Sequence, residues 1–244
     1  MDNKYENLIK NKTVALVGPA KYMENSNLGT EIDSHDYVVR LNRGIELLQT
    51  RSKDIGSKCN IFYTCLIEKA ENTGKLNANT LKNLGIEFVV APPDSNIKGI
   101  STATVPHPDV NLKTIQEIKN CLPFRLINHK FHTEVAEHIN CRPNTGFLAI
   151  YDLLKHSPKK LSLYGFSFYL DGFDSAYKAD VKMDKNDFVN KCFKSTRHVQ
   201  KNMWKYAKRT LLNNSIVSLD KTLYFILNLN NFSREEYEKK ERNA

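Results

Sequence analysis

Short apolar runs alternate with amphipathic segments along most of the chain, which is the pattern of parallel strands separated by helices. Runs rich in β-branched residues predict strands at residues 13–18, 36–42, 59–66, 86–92, 160–166 and 215–219, with a further short strand in "ISTATVP". Segments with a helical period predict helices at residues 77–85, 111–120, 131–140, 195–214 and 220–229, and one directly after "RPNTG". This alternation predicts an α/β fold around a mostly parallel central sheet flanked by helices.

Three stretches fall outside the alternation. The N-terminal segment 1–11 is short and polar, and it has no apolar core of the kind that a secretory signal carries. Residues 167–194 are polar with scattered aromatic side chains, which is typical of a lid or binding loop. The charged C-terminal tail 233–244 opens with a capping box and predicts a solvated helix or frayed end. With no repeat or Gly/Ser linker, residues 1–244 are expected to form a single domain.

Composition narrows the class of protein. No apolar run approaches the roughly 20 residues that a membrane span requires. Five cysteines without a CxxC pair indicate neither a disulfide framework nor a zinc site, and they favour a reducing, cytoplasmic location, with peripheral attachment to the inner face of the cell membrane left open. The formal charge of +9 favours anionic partners such as phosphate esters or acidic glycans. No nucleic-acid-binding motif accompanies the scattered lysines and arginines, so no nucleic acid partner is predicted.

Two loops compete for the ligand site that α/β sheets form beyond the carboxyl ends of their strands. The first, "GPAKYM" after the first strand, lacks both the dinucleotide glycines and the P-loop pattern, but a nucleotide monophosphate requires less clearance. The second, "RPNTG", precedes a helix. Asn144 or Thr145 at the helix start, with Gly146 beside it, predicts either an anion site or an ordinary N-cap.

Other polar residues suggest chemistry at the same edge. Asn42 follows the second strand, where its amide can reach a sugar or phosphate. Arg40 inside that strand is expected to form a structural ion pair with Asp33 or Asp36. His198, at a helix start beyond the irregular loop, is either a general base or an ordinary surface or capping histidine. No D-x-D pair is present, so a nucleotide-sugar enzyme of this sequence is expected to use no metal and a monophosphate leaving group.

Two long blocks make the interpretation more specific. "VALVGPAKYMENSNLGTEIDSHDYVVRLNRG", continuing to "DIGSK", resembles the long sialylmotif of glycosyltransferase family 29, the sialyltransferases. "RPNTGFLAIYDLLKHSPKKLSLYGF" resembles the short sialylmotif of the same family. The resemblance implies a single Rossmann-like domain, a variant of the GT-A architecture, and an inverting, metal-independent transfer from a CMP-activated acidic sugar to a glycan acceptor. It implies His198 as the general base, Tyr177 as a residue of the acceptor site or lid, and donor-binding roles for Gly18, Ser26, Asn42, Asn144, Thr145 and Gly146.

The chain departs from the family pattern at several positions. Pro19 stands where the family usually has Asn, and Asn144 stands where Ser or Thr is usual. The acidic residue expected soon after His198 is absent, and so are the cysteines that bridge the two motifs in secreted animal members. Sialic acid and Kdo both remain possible sugars. The alternatives are a catalytically silent nucleotide- or glycan-binding module of the same fold, or a generic Rossmann enzyme that prefers adenine nucleotides. The acceptor, the linkage and the oligomeric state are not specified by the sequence.

Overall fold

The computed structural model describes residues 2–69, 71–92, 110–178 and 182–241, and its centre is a seven-stranded sheet. The strands are β1 Thr13–Val17, β2 Tyr37–Leu41, β3 Ile61–Tyr63, β4 Phe88–Ala91, β5 Phe124–Leu126, β6 Lys160–Tyr164 and β7 Val217–Leu219. They lie in the order β5-β4-β3-β2-β1-β6-β7 and every neighbouring pair is parallel. The prediction of an α/β fold with a mostly parallel sheet is confirmed, and the described sheet is parallel throughout. The strand expected in "ISTATVP" lies outside the described residues.

Helices cover both faces of the sheet. They are α1 Asp2–Ile9, α2 Gly29–Asp33, α3 Ser52–Ile55, α4 Ala78–Asn83, α5 Leu112–Cys121, α6 His129–Ile139, α7 Thr145–Lys155, α8 Lys185–Phe193, α9 Gln200–Leu211, α10 Lys221–Leu227 and α11 Arg234–Glu241, with 3-10 turns at Lys21–Met23 and Asn42–Leu48. Because side chains alternate along a strand, Val14 and Leu16 of β1 pack with α6, α7, α9 and α10, whereas Ala15 and Val17 face α2, α3 and the 3-10 turns. Helices α4 and α5 extend that second layer over β3, β4 and β5.

The strand order reverses at the centre of the sheet, where β1 lies between β2 and β6. Because all strands run the same way, the loops after β1 and β6 leave the same edge side by side. Gly18 and Gly165 begin these loops, and they approach so closely that a Cβ on either would lie 2.3 Å from the carbonyl oxygen of the other. Gly165 also has φ +74°, a conformation that favours glycine. This switch point is where an α/β sheet is expected to bind its ligand.

The two chain ends are more buried than their polar sequences predict. In α1, Tyr5 and Ile9 are fully buried, so the N-terminal segment is part of the core. In α11, Tyr237 is buried, and Ser233 caps the helix by accepting a hydrogen bond from the Glu236 N–H at 3.1 Å. The Glu236 carboxylate accepts from N–H groups just upstream of the serine, so the predicted capping box is only half formed.

Two further expectations need correction. Residues 167–194 are not irregular throughout, because α8 lies within them. Arg40 is buried, but its guanidinium donates to the carbonyl oxygens of Lys58 and Ile55 at 3.0 and 2.6 Å. Asp33 accepts hydrogen bonds from the loop before β3, and Asp36 holds the start of β1. Backbone carbonyls therefore replace the predicted direct ion pair.

Candidate active site

A cavity of about 420 Å³ opens at the carboxyl edge of the sheet, beside the crossing of the β1 and β6 loops. Its walls come from the loops after β1, β2 and β6, from the first turn of α7, from α8, and from the segment that leads into α9. These elements converge because each follows the carboxyl end of a strand or lies directly above that edge. The candidate residues that line it are Asn42, Asn144, Thr145, Gly146, Tyr177 and His198.

The first turn of α7 supplies free backbone donors. Asn144 is the N-cap, and its side-chain oxygen accepts a hydrogen bond from the Phe147 N–H at 2.8 Å. The N–H groups of Thr145 and Gly146 precede the first intrahelical hydrogen bond, and both residues line the cavity. A Cβ on Gly146 would lie 3.1 Å from side-chain carbons of both Leu41 and Phe166, so glycine permits this close packing. The N-cap is therefore compatible with the predicted anion site, because the helix dipole also favours negative charge at this end of α7.

His198 is held in one tautomer. Its Nδ1 lies 2.9 Å from the carbonyl oxygen of Arg142, which can only accept, so Nδ1 carries the proton and Nε2 keeps its lone pair. The backbone N–H of His198 donates to the Ser195 hydroxyl at 3.1 Å. Burial lowers the pKa of His198, and the positive charges of Arg142 and Arg197 lower it further against the opposing effect of the carbonyl. The ring is therefore neutral at neutral pH and can accept a proton at Nε2.

Asn42 and Tyr177 form another part of the wall. Asn42 begins the 3-10 turn after β2 with φ 44°, and its side-chain oxygen accepts from the Cys65 N–H at 2.9 Å. Its amide nitrogen is consequently the donor that it can offer to a ligand. Tyr177 is buried, and its ring centroid lies 5.2 Å from that of Phe173. Burial raises the pKa of Tyr177, so its hydroxyl stays protonated and remains a hydrogen-bond donor.

Gly18 and Ser26 are not among the residues that line this cavity. Gly18 packs against Gly165 at the loop crossing, and the Ser26 hydroxyl donates to the carbonyl oxygen of Asp54 at 3.1 Å. Both residues therefore shape the loops around the cavity. Their predicted contact with a donor stays a prediction.

Sequence reasoning missed several basic residues of the cavity. Arg142, Arg197 and His132 lie on the same side as His198, and burial lowers the pKa of His132 to about 4. Lys178 also lines the cavity, and its ammonium donates to the carbonyl oxygen of Glu71. In the sequence, only their positions could have indicated a role for the two arginines, because Arg142 directly precedes "PNTG" and Arg197 directly precedes His198.

Lys178 is enclosed by aromatic rings. Its Nζ lies 4.8 Å from the ring centroid of Phe188, 5.1 Å from that of Tyr177 and 5.8 Å from that of Phe173. Burial lowers the pKa of Lys178 to about 8. These four residues also border a second cavity of about 320 Å³, so they form a wall between the two spaces.

Three further observations concern metal, thiol and membrane chemistry. Within the described ranges, no group of three or more His, Cys, Asp or Glu side chains could hold a metal ion. None of the five cysteines forms a disulfide bond. None of the helices that the structure describes is both long enough and apolar enough to cross a membrane.

Comparison with known proteins agrees with the fold and the motifs. The family model for glycosyltransferase family 29 (sialyltransferase) matches residues 4–208. A mammalian sialyltransferase in complex with Gal-beta-1-3GalNAc-ortho-nitrophenol is similar with 19% identity and a TM-score of 0.52, over 88% of this chain and 71% of that one. A variant of the sialyltransferase CST-II from Campylobacter jejuni, in complex with CMP, is similar with 16% identity and a TM-score of 0.51, over 96% and 99%. No curated protein sequence matches the chain.

Proposed function

The chain belongs to glycosyltransferase family 29, the sialyltransferases, and we propose that it transfers sialic acid or a related ulosonic acid such as Kdo from a CMP-sugar to a glycan hydroxyl. One observation carries the proposal. A helix N-terminus with free N–H groups and a neutral histidine with a free Nε2 line the same cavity at the switch point of the sheet. The first suits the phosphate of a departing CMP, and the second suits the hydroxyl of an acceptor.

On the donor side, the N–H groups of Thr145 and Gly146 hold the phosphate of the CMP-sugar. As the bond between the anomeric carbon and the phosphate oxygen breaks, negative charge grows on that oxygen, and donors fixed in advance stabilise it. Asn42 contributes its amide nitrogen to the phosphate or ribose. This charge stabilisation is why the proposed reaction needs no metal ion.

On the acceptor side, His198 Nε2 removes the proton from the attacking hydroxyl. The acceptor oxygen forms a bond to the anomeric carbon in line with the departing phosphate, so the configuration at that carbon inverts. The proton remains on His198 until solvent takes it. The carbonyl of Arg142 keeps the ring oriented throughout, because it holds the Nδ1 proton.

Thermal melting with nucleotides tests the donor half of the proposal. CMP, CDP, UDP, AMP and NAD are compared without divalent metal, and saturation at about 100 times Kd stabilises the protein by roughly 2.7 kcal/mol. For a chain of this size that corresponds to an increase in Tm of about 5–10 °C. We expect CMP to give the largest shift, Asn42→Ala to reduce it, and Lys201→Ala, an exposed residue of α9 that does not line the cavity, to leave it unchanged. A larger shift with AMP or NAD would contradict the proposal and favour the generic Rossmann enzyme.

Donor decay tests catalysis itself. Purified protein with CMP-sialic acid or CMP-Kdo should release CMP, and a glycan acceptor should accelerate the release. The rates for the two donors decide which sugar the enzyme uses. Binding of CMP with no release from either donor would instead support the catalytically silent module.

A further inference from the structure

The peptide group between Gly165 and Phe166, in the loop after β6, is held on both sides by the loop after β1. Its carbonyl oxygen, which belongs to Gly165, accepts a hydrogen bond from the Ala20 N–H at 3.1 Å. Its N–H, which belongs to Phe166, donates to the hydroxyl of Tyr22 at 2.9 Å. Because the peptide group is planar, hydrogen bonds on its two opposite edges fix its orientation and the direction in which the Phe166 side chain leaves the loop.

Asp220 completes this arrangement from the neighbouring strand β7, which it directly follows, and it is buried. One of its carboxylate oxygens accepts from the Leu223 N–H at 2.7 Å and so caps α10. The other oxygen accepts from the Tyr22 hydroxyl at 2.8 Å and from the Gly165 N–H at 2.9 Å. Because Tyr22 donates its hydroxyl proton to Asp220, its oxygen is left to accept from Phe166. The two side chains therefore act on the loop after β6 as one unit.

The cap of α10 does not by itself explain an aspartate at this position. Serine and asparagine cap helices about as well as aspartate does, and each uses a single oxygen for the purpose. The second carboxylate oxygen of Asp220 is the one that serves the loop crossing, where it accepts two hydrogen bonds.

Phe166 connects this pair to the proposed phosphate site. It lines the cavity and packs over the first turn of α7, since a Cβ on Gly146 would lie 3.1 Å from one of its ring carbons. Neither Tyr22 nor Asp220 is among the residues that line the cavity. Any effect of the pair on a ligand there must therefore pass through the loop after β6.

We propose that Tyr22 and Asp220 are positioning residues of the donor site, which fix Phe166 against the first turn of α7 and so hold the phosphate-binding N–H groups in place. This inference rests on the proposed function, because it takes that turn as the site of the CMP phosphate. Asp220 lies beyond residues 4–208, which the family model matches, so its role is assigned from the hydrogen bonds of this structure.

Matched variants separate positioning from stability. Tyr22→Phe removes only a hydroxyl, so the Phe166 N–H loses its acceptor while the aromatic ring stays. Tyr151→Phe is the control, because its hydroxyl also forms a side-chain hydrogen bond, to Thr210 at 2.6 Å, and Tyr151 does not line the cavity. Both variants should lower Tm, but only Tyr22→Phe should raise the Kd for CMP, by about 2- to 10-fold, in calorimetric titration. Unchanged CMP affinity in Tyr22→Phe would overturn the inference.

A second substitution tests whether the two residues act together. Asp220→Ser keeps an oxygen that can cap α10 but removes the one that accepts from Tyr22 and Gly165, so it should also raise the Kd for CMP. The double variant should bind CMP no more weakly than the weaker of the two single variants, because both act on the same loop. Fully additive losses would contradict a single positioning unit.

Turnover gives a readout that a purely structural role would not move. In Tyr22→Phe the base His198 is untouched, so the KM for the CMP-sugar should rise while kcat stays within about threefold of wild type. A lower kcat with an unchanged donor KM would overturn the assignment to the donor site.

NMR keeps this test separate from that of the proposed function. If wild type does not bind CMP, the donor half of the proposed function fails, but the amide resonance of Gly146 in protein with isotope-labelled glycine still reports on the first turn of α7. Tyr22→Phe and Asp220→Ser should shift this resonance more than Tyr151→Phe does. A Gly146 resonance that Tyr22→Phe leaves unchanged would reject the positioning role, whether or not CMP binds.

Discussion

Replacement of His198 tests the centre of the mechanism. The change His198→Ala removes Nε2, the atom to which we assign the acceptor proton, and also the hydrogen bond from Nδ1 to Arg142. His198→Asn separates these two losses, because the asparagine amide can donate to the same carbonyl yet cannot act as a base. Both variants should lose the base, and only the alanine variant should also loosen the segment around Arg142.

The size of the effect follows from the role. A positioned general base contributes about 10²- to 10⁴-fold in rate, which corresponds to about 2.7–5.5 kcal/mol of activation free energy. Because the loss occurs in the transition state, kcat should fall while the Kd for CMP stays the same. His198 lies away from the first turn of α7 in sequence and makes no hydrogen bond to it among the described contacts.

The pH profile provides a second measurement. The base must be neutral, so kcat/KM is high above the pKa of His198 and falls as the pH drops through it. Burial and the neighbouring arginines lower this pKa, so the acid limb should lie below the usual histidine value of about 6.5. The assay is CMP release with acceptor, from pH 4.5 to 8.5, in wild type and both variants. A transfer rate within threefold of wild type in His198→Asn would refute the assignment of the base.

Three other changes test the fold and the cavity. Asp152→Leu leaves the guanidinium of Arg125 buried without its carboxylate, so the free energy of unfolding should fall by about 3–5 kcal/mol. Tm should fall by roughly 6–20 °C, and the double variant with Arg125→Met should recover most of this loss. Gly165→Ala places a Cβ 2.3 Å from the carbonyl oxygen of Gly18 on the neighbouring loop, so it should lower both Tm and CMP affinity. The control is Gly85→Ala, where φ is +77° but the new Cβ would meet nothing within 4 Å, and there the losses should be much smaller. Equal losses in the two variants would show that the backbone strain of a positive φ, and not the contact between the loops, causes the effect. Burial lowers the pKa of Lys178 from its ordinary value of 10.5 to about 8, so the folded state loses this unfavourable buried charge as the pH rises past 8. The free energy of unfolding of wild type should therefore rise relative to that of Lys178→Met between pH 8 and 10, as measured by denaturant titration.

The sheet was predictable from sequence because most of its strands are continuous apolar runs. Six of the strands fall inside the predicted ranges, in each case shorter than predicted because the ends of the runs belong to the adjoining loops. Strand β5 was missed. It has only three residues, the middle one is Arg125, and this charge is buried through its ion pair with Asp152 on α7. A local pattern cannot show that a distant carboxylate compensates a buried cation.

The chain ends show the same limit. Segment 1–11 has a polar sequence because its fully buried side chains are only Tyr5 and Ile9, which lie one helical turn apart on the same face of α1. Two contacts hold Tyr5 in the core. Its hydroxyl oxygen lies 2.5 Å from that of Tyr63, and the guanidinium carbon of Arg125 lies 4.1 Å from the centroid of the Tyr5 ring. These partners lie far along the sequence, so only the folded structure reveals why the N-terminal helix is buried.

The site was partly predictable because a parallel sheet brings the residues that follow its strands to one edge. Asn42 follows β2, Asn144 begins α7 and His198 precedes α9, and the parallel sheet brings all three to one edge. Gly18 and Ser26 lie within the same long motif, yet the structure places them in the loops beside the cavity and not among the residues that line it. A motif shows which residues occur together, but it does not show which way each side chain faces.

Arg197 left one signal in the sequence, its position directly before His198, because one cation in a chain of net charge +9 has no pattern of its own. In the structure its positive charge helps to lower the pKa of the base. Arg197→Ala should therefore raise the pKa of His198 and move the acid limb of kcat/KM to higher pH. The limb is measured by CMP release with acceptor from pH 4.5 to 8.5, and a limb that does not move in Arg197→Ala would show that this arginine does not tune the base.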